Sequence, residues 1–166
     1  MMRVYGSFWH CFEYTPLFPG PCGIALDVPA IGASRVFFEC MLVRVVVESG
    51  DRSPDSEVLH KIRRVGAAHG SSYFIVHGVP GHARGTDRGT AVHGSRDVLE
   101  HVADTLDIVS ELTERLEEYG ERVHLMPFGW TLHYGIREGA GPVVPLRKDH
   151  VPERPVAAPG LSIAQL

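Results

Sequence analysis

The feature that most constrains this fold is the run from Val36 to Glu48, VFFECMLVRVVVE. β-Branched and aromatic residues, which fit a pleated and half-buried surface, fill most of its positions. An apolar run that hardly alternates with polar residues is typical of a strand covered on both faces. We therefore predict a central strand here, with further strands beside it and helices packed against the sheet.

Two segments have the pattern of amphipathic helices. Ser53 can cap a helix whose first turn contains Pro54, and Gly70 would end that helix after about His69. A second and longer helix is predicted from Ser95 to Tyr119. Its apolar residues fall on one stripe, formed by Val98, Val102, Val109, Leu112 and Leu116.

Shorter strands are predicted around these elements. One begins at Arg3 and runs to Phe8 or as far as Tyr14, and another covers residues 73–77. Between them, residues 15–35 contain four prolines and three glycines, which exclude a helix or a central strand. We expect an irregular excursion with one short strand at residues 23–28.

The segment from Val123 to Arg137, VHLMPFGWTLHYGIR, predicts a strand, a sharp Pro-Phe-Gly bend and a second strand. In the second strand, Trp130, Leu132, Tyr134 and Ile136 recur at every second position and form one apolar face. A third strand is expected near residues 142–146. Such a bend brings backbone N–H groups and alternate side chains to one edge of a sheet, where a small pocket can form.

These elements predict an α/β fold: one domain over residues 1–147, with a mixed β-sheet and two main helices, followed by a proline-rich tail at 148–166. No apolar run approaches the roughly 20 residues that span a membrane. The three cysteines include no close pair, which favours free thiols and a cytoplasmic location. We expect no membrane partner, no metal and no cofactor.

The net charge of −4 argues against an extended nucleic-acid surface, since such surfaces are usually basic. We therefore expect no DNA partner, and any RNA contact should be local, at one end of a strand.

Three strings resemble the archaeal-type editing domain of threonyl-tRNA synthetase, which shares its fold with D-aminoacyl-tRNA deacylase. They are MRVYGSFWHCFEY, CMLVRVVVESGDRSPDS and VHLMPFGWTLHYGIREGAGP, and the resemblance covers most of residues 2–146. It implies a deacylase-like fold, a homodimer and hydrolysis of a small amino acid wrongly esterified to tRNA. It also implies that backbone groups and the RNA's own 2′-hydroxyl do much of the catalysis. The family domain is normally fused to a synthetase, so this chain is expected to act in trans.

The chain departs from the family pattern at three positions after the bend. The family's Lys falls on Leu132, the Tyr before it falls on Thr131, and Trp130 replaces another aromatic residue. Two alternatives therefore stay open: an enzyme acting on a free amino-acid-like molecule, or a non-catalytic module that binds tRNA or a synthetase.

The candidate catalytic residues are His82, which the resemblance places at a family histidine, together with His10 and Cys11. An imidazole that titrates near neutrality can act as a general base, and a thiol beside it can act as a nucleophile. A solvated histidine and an inert thiol are the simpler interpretations of the same residues. The candidate substrate-binding residues are Pro127, Phe128, Gly129, Trp130, Thr131, His133, His77 and Arg84.

Overall fold

The computed structural model describes residues 2–48, 50–81, 95–139 and 141–147. Its strands are β1 (Arg3–Pro19), β2 (Arg35–Val47), β3 (Tyr73–Pro80), β4 (Val123–Leu125), β5 (Trp130–Glu138) and β6 (Val144–Pro145). Its two α-helices are α1 (Ser56–Ala68) and α2 (Ser95–Glu118). The expected single α/β domain with two main helices is confirmed for this part of the chain.

The six strands form one mixed sheet in the order β4-β3-β2-β1-β5, with β6 beside the first half of β1. β2 is central, antiparallel to β1 and parallel to β3, and β4 is parallel to β3. β5 runs antiparallel to the second half of β1. The central position predicted for residues 36–48 is therefore confirmed.

Both helices cover the same face of the sheet. Leu59 and Ile62 of α1 and Leu112 of α2 pack into one cluster with Val43 and Val45 of β2, and all five are fully buried. Asp55, and not Ser53, caps α1, because its carboxylate accepts the N–H of Val58 at 2.9 Å. The Ser53 hydroxyl instead donates to Glu111 of α2.

The predicted strand at residues 23–28 is wrong. That segment is irregular and ends in a single 3-10 turn at Val28–Ala30. β1, in contrast, continues to Pro19. It therefore includes Pro16, which we expected to lie in the irregular excursion over residues 15–35. A proline is tolerated there because the pairing of β1 with β2 ends at Tyr14, so this stretch pairs on one side only.

The sheet is strongly rolled. A flat sheet would place β4 and β5 about 19 Å apart, which is four strand spacings of about 4.8 Å. The chain between Leu125 and Trp130 spans at most about 18 Å even when fully extended. It is not extended, because Phe128 and Gly129 form a turn with φ of 74° at Gly129. The sheet must therefore curl until its two ends come close together.

Candidate functional site

A hydrogen bond across the sheet shows how far the curling goes. Tyr14 lies on β1 and His124 on β4, and a flat sheet would hold these strands about 14 Å apart. The Tyr14 hydroxyl nevertheless lies 2.5 Å from Nε2 of His124. The concave face inside this curl, which we call the inner face, is thus enclosed by the sheet's own strands.

The inner face carries a second buried cluster, separate from the helix-covered core. Its fully buried members are Phe12, Tyr14, Cys40, Ile75 and Met126, and its partly buried members are Trp9, Phe37, Leu42, Tyr73, Leu132 and Tyr134. Six of these eleven side chains are aromatic. Aromatic rings offer flat apolar surfaces on which a nucleobase can stack. The inner face therefore has the chemistry of a site for a flat, partly apolar ligand.

Burial shifts the titration of the pair that bridges the inner face. Together with the nearby charge of Arg35, which has the smaller effect, it lowers the pKa of His124 to about 4. Burial also raises the pKa of Tyr14 to about 12. At neutral pH both groups are thus uncharged, and their shared hydrogen bond is a neutral cross-link between β1 and β4.

The Pro-Phe-Gly bend lies at the rim of the inner face, because Met126 before it and Leu132 after it both belong to the inner cluster. Its carbonyls are held by the irregular segment after β1. Gly20 donates its N–H to the Gly129 carbonyl at 2.8 Å, and Ile24 donates to the Phe128 carbonyl at 3.1 Å. These two hydrogen bonds therefore hold the Pro-Phe-Gly bend against the irregular segment that follows β1.

Space around the bend is tight. A Cβ added at Gly129 would lie 2.7 Å from the carbonyl carbon of Cys22 and 2.8 Å from Cα of Gly23. The Phe128 side chain is buried beside Gly78 of β3. Among the described residues, none accepts a hydrogen bond from the N–H of Phe128 or of Gly129. These two adjacent backbone N–H groups can therefore donate to an acceptor that does not belong to the described residues.

Arg44 is the charged residue in the second half of β2, and its side chain is exposed. It lies between Tyr5 of β1 and His77 of β3 in the strand register, in the same row as Leu42 of the inner cluster. Burial, and to a smaller extent the charge of Arg44, lowers the pKa of His77 to about 4. His77, predicted as a substrate-binding residue, is therefore a neutral side chain beside a cation at the edge of the inner face.

A second cation, Arg137, lies on the inner face, where the sequence pattern predicts the side chain of Ile136. The register of β5 against β1 shifts between Tyr134 and Arg137, so Gly135 and Ile136 form a bulge opposite a single residue of β1, Glu13. The expected alternation is correct for the half-buried Trp130 and Tyr134 but wrong for Ile136, which is 48% exposed. The Arg137 guanidinium instead lies 5.4 Å from the centre of the Tyr134 ring.

The predicted catalytic residues His10 and Cys11 lie where β1 and β2 bend together. Glu39, opposite this bend, has a φ of 45°, which is rare outside glycine. Nδ1 of His10 lies 3.1 Å from a carboxylate oxygen of Glu39, and both side chains are more than half exposed. Cys11 is a half-buried free thiol. This His-Glu pair is chemically a candidate base, although it stands apart from the Pro-Phe-Gly bend.

The other predicted binding residues divide by their position on β5. Trp130 lies against the irregular segment after β1, since its ring N–H donates to the Ile24 carbonyl at 2.7 Å. Thr131 and His133 lie on the opposite, exposed side of the strand. His82 and Arg84 lie outside the described residues. Sequence reasoning missed Arg44 and Arg137 as a cationic pair; a charge inside an apolar strand and the glycine at position 135 were the available signals.

A second concave feature lies beside the 3-10 turn. It is a depression of about 340 Å³ lined by Asp27, Pro29, Ala30, Ala33, Ser34 and Arg35. Asp27 and Arg35 place opposite charges on its walls.

Within residues 2–48, 50–81, 95–139 and 141–147, no group of three or more histidine, cysteine or acidic side chains is arranged to hold a metal. Among the described helices, none is both long and apolar enough to cross a membrane. Comparison with models of protein families gives no match, and comparison with curated proteins gives none.

Proposed function

We propose that this protein is an editing-type hydrolase that cleaves the ester between a small amino acid and the 3′ end of a tRNA. The proposal rests on one observation above all: the Pro-Phe-Gly bend, at the rim of an aromatic inner face, has two adjacent N–H groups that no described residue engages. Such donors stabilise the oxyanion that forms when water attacks an ester carbonyl.

The inner face suits the nucleoside part of this substrate. Half-buried aromatic rings such as Tyr73 and Tyr134 offer stacking surfaces for the terminal adenine. Stacking would hold the ester carbonyl next to the N–H groups of Phe128 and Gly129. Water adds to that carbonyl, and the tetrahedral intermediate collapses to the free amino acid and the RNA hydroxyl, with the proton passing to the leaving oxygen. The substrate's own 2′-hydroxyl orients the water.

The test is hydrolysis of Ser-, Thr-, Ala- and Gly-charged tRNA by the purified protein. We expect turnover of at least one ester, and loss of turnover when the terminal 2′-hydroxyl is replaced by hydrogen. His77→Gln and Trp130→Phe probe the predicted binding residues, and Arg64→Gln, an exposed position on α1, is the control. A folded protein that hydrolyses none of the four esters refutes the proposal.

A second candidate function is an enzyme that acts on a free amino-acid-like molecule. The depression favours it, because Asp27 and Arg35 can pair with the ammonium and carboxylate groups of a zwitterion. Stabilisation by free amino acids that disappears in Asp27→Asn would support this candidate. Loss of turnover in His10→Ala, Cys11→Ala or His82→Ala would identify its catalytic group, and full activity in all three would remove its chemical basis.

The remaining proposals concern partners and location. A homodimer is proposed from the family resemblance, and sedimentation at several concentrations tests it. Binding of tRNA or a synthetase without hydrolysis would identify a non-catalytic module. A cytoplasmic location stays a prediction, testable by fractionation of cells that express the protein.

A further inference from the structure

Two arginine side chains beside the inner face, the exposed Arg44 and the half-buried Arg137, have no described acidic partner. Within residues 2–48, 50–81, 95–139 and 141–147, neither Arg44 nor Arg137 takes part in an ion pair, and neither guanidinium donates a described hydrogen bond. The described arginines that do form ion pairs each lie beside a glutamate; they are Arg3, Arg63 and Arg115. An unpaired guanidinium beside an apolar surface is suited to binding an anion.

One arginine contacts Tyr134 of the inner cluster, and the other follows a residue of the same cluster on β2. Arg137 lies over the ring of Tyr134, which packs in the inner cluster together with Leu42. Arg44 is the next residue after Leu42 on that face of β2. In agreement with this geometry, the charges of Arg44 and Arg137 both lower the pKa of Tyr134, which burial raises. The hydroxyl of Tyr134 is thus within the electrostatic reach of both cations.

A bulge in β5 and the register of β2 place the two arginines beside the inner face. The bulge in β5 turns Ile136 out to solvent and places Arg137 inward, where a regular strand would have put the apolar side chain. The carboxylate of Glu13 holds the bulge by accepting the N–H of Ile136 at 3.1 Å. On β2, Arg44 follows Leu42 in the row that borders the inner cluster, and its side chain is exposed. In β5 the apolar residue expected from the pattern is thus replaced by a cation on the same face.

We propose that Arg44 and Arg137 form a subsite for a nucleotide phosphate, with the base of that nucleotide against the aromatic rings of the inner face. Two guanidinium groups match a phosphate better than a single carboxylate, because each can donate two parallel hydrogen bonds to its oxygens. The subsite deepens the proposed function and rests on it, since an RNA 3′ end presents both phosphates and a stacked base. It also explains how an acidic protein with a charge of −4 could hold RNA locally.

The test compares three probes by calorimetric titration: adenosine 5′-monophosphate, adenosine and free serine. We expect the monophosphate to bind at least ten times more tightly than adenosine. Hydrogen bonds to charged groups contribute about 1.5–3 kcal/mol, so Arg44→Gln and Arg137→Gln should each weaken the monophosphate about 10- to 100-fold. Neither variant should change adenosine affinity by more than about twofold, and Arg64→Gln should leave all three affinities unchanged.

Three outcomes would overturn the subsite. They are equal affinity for the monophosphate and adenosine, unchanged monophosphate binding in both glutamine variants, or arginine-dependent binding of serine and not of the monophosphate. Thermal unfolding of each variant confirms that it is folded.

Deacylation measured on the same variants separates the two proposals. Arginine-dependent binding of the monophosphate without hydrolysis of any ester supports the subsite and refutes the hydrolase. Hydrolysis whose KM is the same in both glutamine variants as in the unmodified protein supports the hydrolase and overturns the subsite.

Discussion

Removing the hydroxyl of Tyr14 tests the curled sheet directly. In Tyr14→Phe the ring nitrogen of the half-buried His124 loses its partner across the inner face. Leaving a buried polar group unsatisfied costs about 1–3 kcal/mol in the free energy of unfolding. For a chain of 166 residues, each kcal/mol corresponds to about 2–4 °C in Tm. We therefore expect Tm to fall by about 2–12 °C.

A double-mutant cycle isolates the contact from the rest of the substitution. His124→Phe keeps a flat ring of similar shape, and the double variant replaces both polar partners by apolar rings, which can be nearly neutral. In urea unfolding, the free energies lost in the two single variants should therefore add up to about 1–2 kcal/mol more than the free energy lost in the double variant. Tyr119→Phe, at a position that is 43% exposed and directly follows α2, is the control and should cost almost nothing.

A coupling energy below about 0.3–0.5 kcal/mol, the range found for distant and independent sites, would refute the reasoning. It would mean that β1 and β4 do not meet across the inner face in solution.

Three further predictions concern stability. Because burial lowers the pKa of His124 from 6.5 to about 4, the unfolded chain binds a proton between these values that the folded chain does not. Stability should thus decline as pH falls from 6.5 to 4, by up to about 1.4 kcal/mol per pH unit from this group, and urea titrations of His124→Phe should show a smaller slope. Gly129→Ala should cost several kcal/mol by urea unfolding, since its Cβ would meet backbone, whereas Gly120→Ala, also at positive φ but in open space, should cost about 1–2 kcal/mol; equal losses would contradict the tight bend. Asp55→Ala should cost about 1 kcal/mol in thermal unfolding as the loss of a helix cap, and Ser53→Ala should cost less than half of that; the reverse order would assign the cap to Ser53.

The regular elements were predictable because their patterns are long. The apolar run of β2 and the stripe of α2 each extend over a dozen or more residues. α1 was predicted as well, but its cap was assigned two residues too early, since the hydroxyl of Ser53 and the carboxylate of Asp55 suit a cap equally well. Only the three-dimensional approach of Glu111 to Ser53 distinguishes them.

The candidate site was only partly predictable, because it depends on the curvature of the whole β-sheet. Its bridging pair, Tyr14 and His124, is separated by 110 positions, and no local pattern brings the two residues together. The bulge that turns Arg137 inward was equally hidden, although a glycine within a strand is a known sign of one. The Pro-Phe-Gly bend was predicted from local chemistry, since its proline and glycine are strong turn residues.

The most direct test of the central claim is a crystal structure with a non-hydrolysable analogue, 3′-seryl-amino-adenosine, in which an amide replaces the ester. We predict that the adenine stacks on the inner face and that the acyl oxygen lies within hydrogen-bond distance of the N–H of Gly129. An analogue bound in the depression between Asp27 and Arg35, or on the helix-covered side of the sheet, would contradict the proposal.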